Sequence, residues 1–282
     1  MTDARPDAAS ESHPDSSSDD WAPTGIDVTT PSIARVYDAV LGGKDNYPAD
    51  RAVAEQMLQV MPGGRDGAWE GRNFLARGVR AMAEQGIRQF LDLGSGLPTV
   101  QNTHEVAQAA APGARTVYVD IDPIVLAHGR AILAGDEFTS VVTADLGAPA
   151  ELLASPGVRD LIDLSQPVGL ILLNVTHHIV DDAAVAKIVD AYKAATVPGS
   201  GLLLAQFCRS TEPELAALEQ VALKALGSGR FRTMAEIEAF FDGWEIAEPG
   251  IDYMAKWRPE TPLTGDLTIA QKVAGGGLAF KR

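Results

Sequence analysis

Short apolar runs of strand length alternate with longer helical patterns along most of the chain. The runs that predict buried strands are residues 87–93, 116–120, 138–144, 167–175 and 201–207. Between them apolar residues recur at helical spacing, for example over residues 181–196. Strands that alternate with helices are typical of a parallel, doubly wound α/β sheet. Two further strands are predicted near the end of the chain, at residues 244–251 and 277–280.

Three helices are predicted before the first strand. Apolar residues recur at helical spacing over residues 33–41, and Gly42-Gly43 ends that helix. A second helix ends near residue 60, and a third spans roughly residues 66–85. Because these helices precede the first strand, they can lie over its carboxyl-terminal edge, where ligands bind in open α/β sheets. We therefore expect a helical cap over residues 23–85.

Residues 1–22 form a polar leader with six acidic residues and one arginine. Five serines and two prolines stand among the remaining positions. Such a composition buries too little apolar surface to offset the entropy that ordering costs. We expect these residues to be a disordered acidic leader.

The turn after the first predicted strand carries the sharpest chemical signal. Gly94-Ser95-Gly96 follows the strand, and residues 98–99 are of the types that start helices. Strand, glycine turn and helix make the first half of a nucleotide-binding unit, because glycines let the backbone approach a ligand closely. Asp92 would repel a pyrophosphate but favour ammonium and hydroxyl groups, and S-adenosylmethionine (SAM) carries both. Thr99 stands where a dinucleotide fingerprint has its third glycine, which disfavours a dinucleotide.

This Asp-x-Gly-x-Gly pattern resembles the first motif of class I SAM-dependent methyltransferases. The stretches 34–38, 41–47 and 49–51, together with Arg72-Asn73 and residues 97–107, resemble an actinobacterial family of such enzymes. That family was long catalogued as a domain of unknown function, and the match runs from about residue 27 to the end. The resemblance implies a class I methyltransferase domain over residues 86–282, below the helical cap. It also implies a Rossmann-like, seven-stranded, mostly parallel sheet with an antiparallel closing pair.

Acidic residues at the ends of the second and third strands are candidates for the cofactor site. Asp120 lies 24 residues after Gly96, near the roughly 20 expected for the acid that binds ribose hydroxyls. By resemblance, Asp145 meets the adenine amino group and Leu146 covers the ring, although Asp145 is equally suited to capping a helix. In the cap, we expect contacts with the methionine end, and Arg72 either holds the cofactor carboxylate or forms a surface salt bridge. The predicted cofactor-binding residues are Tyr37, Gly43, Asn46, Tyr47, Arg72, Asp92, Gly94, Ser95, Gly96, Asp120, Ile121, Asp145, Leu146 and Asn174.

Two adjacent histidines end the central apolar strand and are the best acid–base candidates in the chain. His177 and His178 could take a proton from an oxygen or nitrogen acceptor, because histidine titrates near neutrality. An alternative is that one histidine binds backbone and the other is solvated. Adjacent histidines point different ways and no histidine has ligand spacing with a cysteine or an acidic cluster, so we expect no metal.

The composition and charge of the chain restrict the kinds of partner that it can bind. The 282 residues carry a formal net charge of −15, and we find no cluster of lysines and arginines. Nucleic acid and anionic membrane surfaces are therefore not expected partners. The single cysteine excludes an internal disulfide, and no apolar run has transmembrane length. With no hydrophobic signal segment, we expect a cytoplasmic protein.

These patterns favour methyl transfer from SAM to an unidentified small-molecule acceptor. A SAM-binding regulatory protein without catalysis would show the same cofactor residues and stays an alternative. An NAD-dependent oxidoreductase is a weaker alternative, because Asp92 and Thr99 both disfavour it.

Overall fold

The computed structural model describes residues 27–132 and 136–282 of the chain. The acidic leader predicted for residues 1–22 lies outside the described residues. None of the described helices is both long enough and apolar enough to cross a membrane.

A parallel five-stranded sheet forms the centre of the described chain, as predicted. Its strands are β1 (Gln89–Leu93), β2 (Arg115–Asp120), β3 (Thr139–Thr143), β4 (Gly169–Leu173) and β5 (Gly201–Phe207). They are arranged in the order β3-β2-β1-β4-β5, so the chain crosses from one side of β1 to the other between β3 and β4. Such a reversal opens a crevice at the carboxyl ends of β1 and β4, where ligands bind in this class of sheet.

Three antiparallel strands complete the sheet, one more than the two predicted. They are β6 (Glu245–Ile246), β7 (Asp252–Tyr253) and β8 (Ala274–Phe280), and β8 pairs along the whole of β5. The strand expected over residues 244–251 is shortened to β6, because a turn follows in which the amide of Gly250 donates to the carbonyl of Ala247 at 2.9 Å. β7 begins after this turn. The described residues therefore form an eight-stranded sheet in the order β3-β2-β1-β4-β5-β8-β6, and β7 also pairs with β8.

The last strand begins three residues earlier than predicted, because its first half consists mostly of glycines. Gly275 and Gly276 predict a loop, since glycine is depleted in strands. A Cβ atom on Gly276 would overlap the backbone of β5 at Leu204 and Ala205. The glycines thus let β8 pack tightly against β5.

Helices cover both faces of the sheet. They are α1 (Ile33–Leu41), α2 (Pro48–Val60), α3 (Gly64–Glu84), α4 (Thr103–Ala110), α5 (Pro123–Ile132), α6 (Pro149–Ala154), α7 (Pro156–Arg159), α8 (Asp182–Ala194), α9 (Pro213–Leu226) and α10 (Met234–Glu238). On one face α3 packs Phe74 and Met82 against Phe90 of β1. On the other face, Tyr192 of α8 packs among strand residues such as Leu204. The sheet is therefore buried on both sides, as its apolar strands predict.

The helix that follows β1 starts later than the sequence suggested. Residues 98–99 do not start it; α4 begins at Thr103, with Asn102 as its N-cap. The amide of Asn102 donates to the Glu105 carboxylate at 2.8 Å, which is the reciprocal bond of a capping box. A loop over residues 97–102 therefore separates the glycine turn from the helix.

A buried aspartate fixes the geometry of the cap. Asp50, in the first turn of α2, is fully buried and accepts a hydrogen bond from the Arg35 guanidinium at 2.9 Å. It also accepts from the backbone amides of Ser32 at 2.9 Å and Tyr47 at 2.8 Å. One carboxylate thus joins the start of α1, a buried arginine and the start of α2.

We predict that Asp50→Asn destabilises the protein strongly. The change leaves the Arg35 charge buried without its carboxylate, a loss typically of about 3–5 kcal/mol. Urea denaturation of the variant and the wild type measures the difference.

Glu260→Gln is the matched control, because Glu260 pairs with Arg80 at the surface. We expect less than about 1 kcal/mol for that change, since exposed ion pairs contribute little. Equal losses in the two variants would show that Asp50 does not fix the cap.

Candidate functional site

A cavity of about 890 Å³ lies between the cap helices and the carboxyl ends of the parallel strands. The structure brings most of the predicted site residues to its wall. Those lining it are Tyr37, Arg72, Asp92, Gly94, Ser95, Gly96, Asp120, Ile121, Asp145, Leu146, Asn174, His177 and His178. Gly43, Asn46 and Tyr47 are not among the residues that line the cavity.

The glycine turn at the end of β1 is tied to the end of β2. Gly94 and Gly96 both have positive φ angles, of 75° and 67°, which glycine adopts without strain. A Cβ atom on Gly94 would overlap Val175, whereas a Cβ atom on Gly96 would meet nothing within 4 Å. The amide of Gly96 donates to the Asp120 carboxylate at 2.8 Å. The turn therefore leaves open space over Gly96 beside a fixed carboxylate.

Asp92 is a buried carboxylate whose ionisation is disfavoured. Its side chain is only 6% exposed and accepts a hydrogen bond from the Thr103 hydroxyl at 2.6 Å. Burial raises the pKa of Asp92 to about 6, although the Thr103 hydrogen bond and the charge of Arg72 oppose the rise. A ligand cation beside Asp92 would lower this pKa and favour the ionised form further.

Asp120 closes the same corner of the cavity. Its second carboxylate oxygen accepts a hydrogen bond from the amide of Asp122 at 3.0 Å. Burial also raises the pKa of Asp120. Two acidic side chains thus stand near each other with few donors, which suits a ligand that brings its own ammonium and hydroxyl groups.

The ends of β2 and β3 offer one polar and two apolar contacts. Ile121 lines the cavity although it is 67% exposed, so its apolar side chain can cover a flat ring. Asp145 holds its own turn, because its carboxylate accepts from the amide of Gly147 at 2.7 Å. The carbonyl of Leu146 accepts a hydrogen bond from Tyr192 at 2.7 Å, which fixes that residue at the wall.

Asn174 ends β4 in an unusual conformation. Its φ angle is 52°, a region that asparagine tolerates better than most residues. The backbone amide of Asn174 donates to Ala205 at 2.7 Å, whereas its side-chain oxygen is buried and has no hydrogen-bond partner. A ligand N–H or O–H group would satisfy that oxygen.

The two histidines stack beside Asn174 in a single 3-10 turn, Thr176–His178. The imidazole of His177 is stacked on Phe207 at 4.3 Å between ring centres, and the His178 ring is 4.2 Å away. Nδ1 of His178 forms a hydrogen bond with the Ser228 hydroxyl at 2.8 Å, and Nδ1 of His177 has no partner. The alternative of one backbone-bonded and one solvated histidine is therefore wrong.

Both histidines are neutral at pH 7. Burial lowers the pKa of His177 well below its usual value, and the charges of His178 and Arg232 add to this effect. Burial lowers the pKa of His178 to about 4. Each imidazole can therefore take up a proton released in the cavity and then lose it readily to water.

Tyr37 and Arg72 of the cap line the cavity and form hydrogen bonds with other parts of the protein. Tyr37 donates from its hydroxyl to the carbonyl of Ala68 at 3.0 Å. Arg72 is buried, which excludes the surface salt bridge. Its guanidinium donates to the carbonyl of Val100 at 3.2 Å and to the Asn102 side chain at 3.3 Å. Arg72 thus holds the loop between the glycine turn and α4.

The polar residues between α1 and α2 form hydrogen bonds within the cap. The carboxylate of Asp38 accepts hydrogen bonds from the Asp45 amide at 2.9 Å and from the Asn46 side chain at 2.8 Å. A Cβ atom on Gly43 would overlap that carboxylate. The ring of Tyr47 instead faces the Arg35 guanidinium, 5.4 Å from the ring centre. The predicted contacts of Gly43, Asn46 and Tyr47 with a ligand are therefore replaced by contacts within the cap.

Sequence reasoning missed a contact that links the cap to the sheet. The hydroxyl of Ser32, the N-cap of α1, forms a hydrogen bond with the Asp122 carboxylate at the start of α5. Asp122 also caps its helix, because it accepts from the amide of Ile124 at 2.9 Å. No sequence signal joins two residues so far apart.

Among the described residues, no group of three or more histidine, cysteine, aspartate and glutamate side chains could hold a metal ion.

Residues 19–282 match the family model described as S-adenosyl methyltransferase. The chain belongs to this family. Two crystal structures are similar over almost their whole length. One, from Thermobifida fusca YX and provisionally described as a methyltransferase, is 47% identical with a TM-score of 0.90, over 93% of this chain and 99% of that one. The other, a DUF574 family protein from Streptomyces avermitilis MA-4680, is 36% identical with a TM-score of 0.86, over 90% and 99%.

More distant structures share the fold alone. The mitomycin 7-O-methyltransferase MmcR is 15% identical with a TM-score of 0.51, over 90% of this chain and 74% of that one. No curated protein matches the sequence.

The protein is a SAM-dependent methyltransferase, and SAM is its cofactor. The family assignment supports neither a nicotinamide-dependent oxidoreductase nor a non-catalytic binder. The cavity fits SAM, since Asn174 has an unpartnered oxygen, Gly96 has open space above it, and the carboxylates of Asp92 and Asp120 line the same cavity. Asp120 would hold the ribose, Ile121 and Leu146 the adenine ring, and Asp92 with Asn174 the methionine ammonium. These individual contacts stay predictions.

For this methyltransferase we predict that SAM binding weakens below pH 6. A cationic ligand favours ionised Asp92, whose pKa is about 6 without ligand. Protonation of Asp92 should therefore weaken SAM affinity by up to about tenfold per pH unit between pH 6 and 5. His178 does not contribute in this range, because its pKa is about 4.

Isothermal titration between pH 5 and 7 measures this profile. Asp92→Asn provides the control, because it removes the titrating group at nearly constant shape. Its affinity should be weaker at pH 7 and should fall less between pH 7 and 5 than that of the wild type, because only Asp120, whose pKa burial also raises, then titrates in the cofactor site. A variant with the pH profile of the wild type would exclude Asp92 as the cause.

Proposed function

We propose that the methyltransferase acts on a small molecule that binds in the same cavity as SAM. The observation that carries the proposal is the size of this cavity beneath the cap. Its volume of about 890 Å³ lies near the upper end of the roughly 300–1,000 Å³ typical of small-molecule sites. The Ser32–Asp122 hydrogen bond closes the cap over the end of the sheet.

The sheet order supports a division of the cavity into two parts. The predicted contacts to adenosine lie at the ends of β2 and β3, on one side of β1. His177, His178 and Phe207 line the cavity on the other side, at the ends of β4 and β5. We assign that side to the acceptor. The glycine turn of β1 lies between the two parts.

The protein's contribution to the reaction is alignment and exclusion of water. SAM supplies the reactive methyl group, so the chain needs only to hold two molecules in line. Alignment of well-oriented reactants can contribute up to about 7–11 kcal/mol. The neutral imidazoles beside the acceptor side can receive the proton that the acceptor loses.

The net charge argues against nucleic acid as the acceptor. At −15 the chain lacks the positive charge that phosphate backbones require. A protein acceptor would need a path for a side chain into a cavity that the cap covers. The size of the cavity and its place beneath the cap therefore favour a free small molecule.

A labelling experiment tests the proposal. The purified protein is incubated with methyl-tritiated SAM and a heat-treated extract of Streptomyces avermitilis, divided by dialysis into small and large molecules. We expect label in a dialysable product. Label confined to the protein or nucleic acid of the large fraction would contradict the proposal.

Two aspartate variants show whether the label comes from this site. Asp120→Ala leaves the ribose hydroxyls without an acceptor, so SAM affinity and labelling at low SAM should fall about tenfold or more. Asp163→Ala is the matched control, because Asp163 also accepts a backbone amide at 2.9 Å in a turn but does not line the cavity. It should label like the wild type.

A further inference from the structure

The acceptor side of the cavity opens into an apolar chamber between the cap and α9. We call this the acceptor chamber. Its walls come from α1, α2, α3, β5, α9 and the residue before β8. The apolar residues that line it are Val36, Val40, Met57, Leu58, Met61, Leu75, Phe207, Leu218, Ala222, Leu226 and Val273. Elements from distant parts of the chain thus build a continuous apolar surface.

The ionised groups of the cap that line the cavity are already engaged with other protein groups. Arg35 is paired with Asp50 at 2.9 Å. Arg72 donates to Val100 and Asn102, and Asp27 accepts from the Thr29 amide at 2.8 Å.

The remaining carboxylates of the cavity belong to the cofactor side. They are Asp92, Asp120, Asp122 and Asp145, at the ends of β1, β2 and β3 or in the loops that follow them. Among the described residues of the acceptor chamber, therefore, no ionised side chain is placed to pair with a charged acceptor.

We propose that the acceptor is an uncharged, largely apolar small molecule that is methylated on a hydroxyl group. The proposal rests on the proposed function above. The apolar body occupies the acceptor chamber, and the hydroxyl lies at the end of β4 beside His177 and His178. Burying an ionised group without a partner costs several kcal/mol or more, so the chamber disfavours a charged acceptor.

The lack of a charged partner in the chamber also determines which group of the acceptor is methylated. An aliphatic amine has a pKa near 10 and a carboxylic acid near 4, so both are charged at pH 7. A hydroxyl is neutral and can donate a hydrogen bond to a neutral imidazole. The hydroxyl oxygen forms the new C–O bond as the methyl C–S bond breaks, and the sulfur keeps that electron pair. The hydroxyl proton passes to an imidazole of the His177–His178 pair and then to water.

The imidazoles suit this step although their pKa values are low. A methylated hydroxyl that still carries its proton is a far stronger acid than imidazolium. Even a weakly basic imidazole can therefore accept that proton. Because His178 has a pKa of about 4, its imidazolium returns the proton readily to solvent at pH 7.

Binding of three matched probes tests the chamber without catalysis. The probes are 2-naphthol, 2-naphthoate and 2-(aminomethyl)naphthalene, which share one ring system but are neutral, anionic and cationic at pH 7. Fluorescence titration is done with the cofactor side filled by S-adenosylhomocysteine. We expect 2-naphthol to bind at least tenfold more tightly than either charged probe. Equal or tighter binding of a charged probe would overturn the proposal.

Two substitutions in α2 locate the binding. Leu58→Asn places a polar group on the chamber wall and should weaken 2-naphthol binding several-fold. Val60→Asn is the control, because Val60 is also partly buried in α2 but does not line the cavity. Both variants should bind S-adenosylhomocysteine like the wild type, which shows that they are folded. Equal 2-naphthol affinity in Leu58→Asn and the wild type would exclude the chamber.

The labelled product from the extract tests the acceptor itself. We expect it to enter ethyl acetate at pH 7, to pass both ion exchangers and to keep its label in mild alkali, as a methyl ether does. Retention on an ion exchanger, or release of labelled methanol by alkali from a methyl ester, would overturn this proposal while a small-molecule acceptor stands. Label found only in macromolecules would overturn the proposed function and this inference with it.

Discussion

The buried carboxylate of Asp50 is the interaction on which the cap depends. It binds the Arg35 guanidinium and two backbone amides, one before α1 and one before α2. An uncompensated charge at this depth would be expensive, so the three donors are held in one arrangement. The positions of α1 and α2 follow from it, and so does the place of Ser32, which reaches Asp122 on the sheet.

Once the cap is fixed, the cavity acquires two chemically different ends. Over β1 and β2, buried carboxylates with raised pKa values are held by one hydroxyl and by backbone amides, without a paired cation, which favours a ligand that brings ammonium and hydroxyl groups. Over β4 and β5, neutral imidazoles adjoin apolar helices. A charged cofactor and a neutral acceptor can therefore occupy one cavity without competing for the same environment. Methyl transfer requires the acceptor atom to lie in line with the methyl group, so each molecule occupies its own part of the cavity.

The sequence predicted the parts of the site that local chemistry determines. The parallel strands, the glycine turn and the carboxylates at the strand ends follow from apolar runs and short motifs, and all of them line one sheet edge. The loop between α1 and α2 misled the prediction, because its polar residues satisfy Asp38 and Asp50 instead of a ligand. The acceptor chamber left no signal in the sequence. Its walls in α2 and α9 are ordinary amphipathic helices until the fold places them opposite each other.

A crystal structure with S-adenosylhomocysteine bound would test the central claim most directly. The claim is that one cavity under the cap holds the cofactor over β1, β2 and β3 and leaves the chamber beside α9 for the acceptor. We predict ribose hydroxyls within hydrogen-bond distance of Asp120, the amino group near Asp92 and Asn174, and no ligand atoms against Leu218 and Leu226. A ligand seated in the chamber, or outside the cap, would contradict the account.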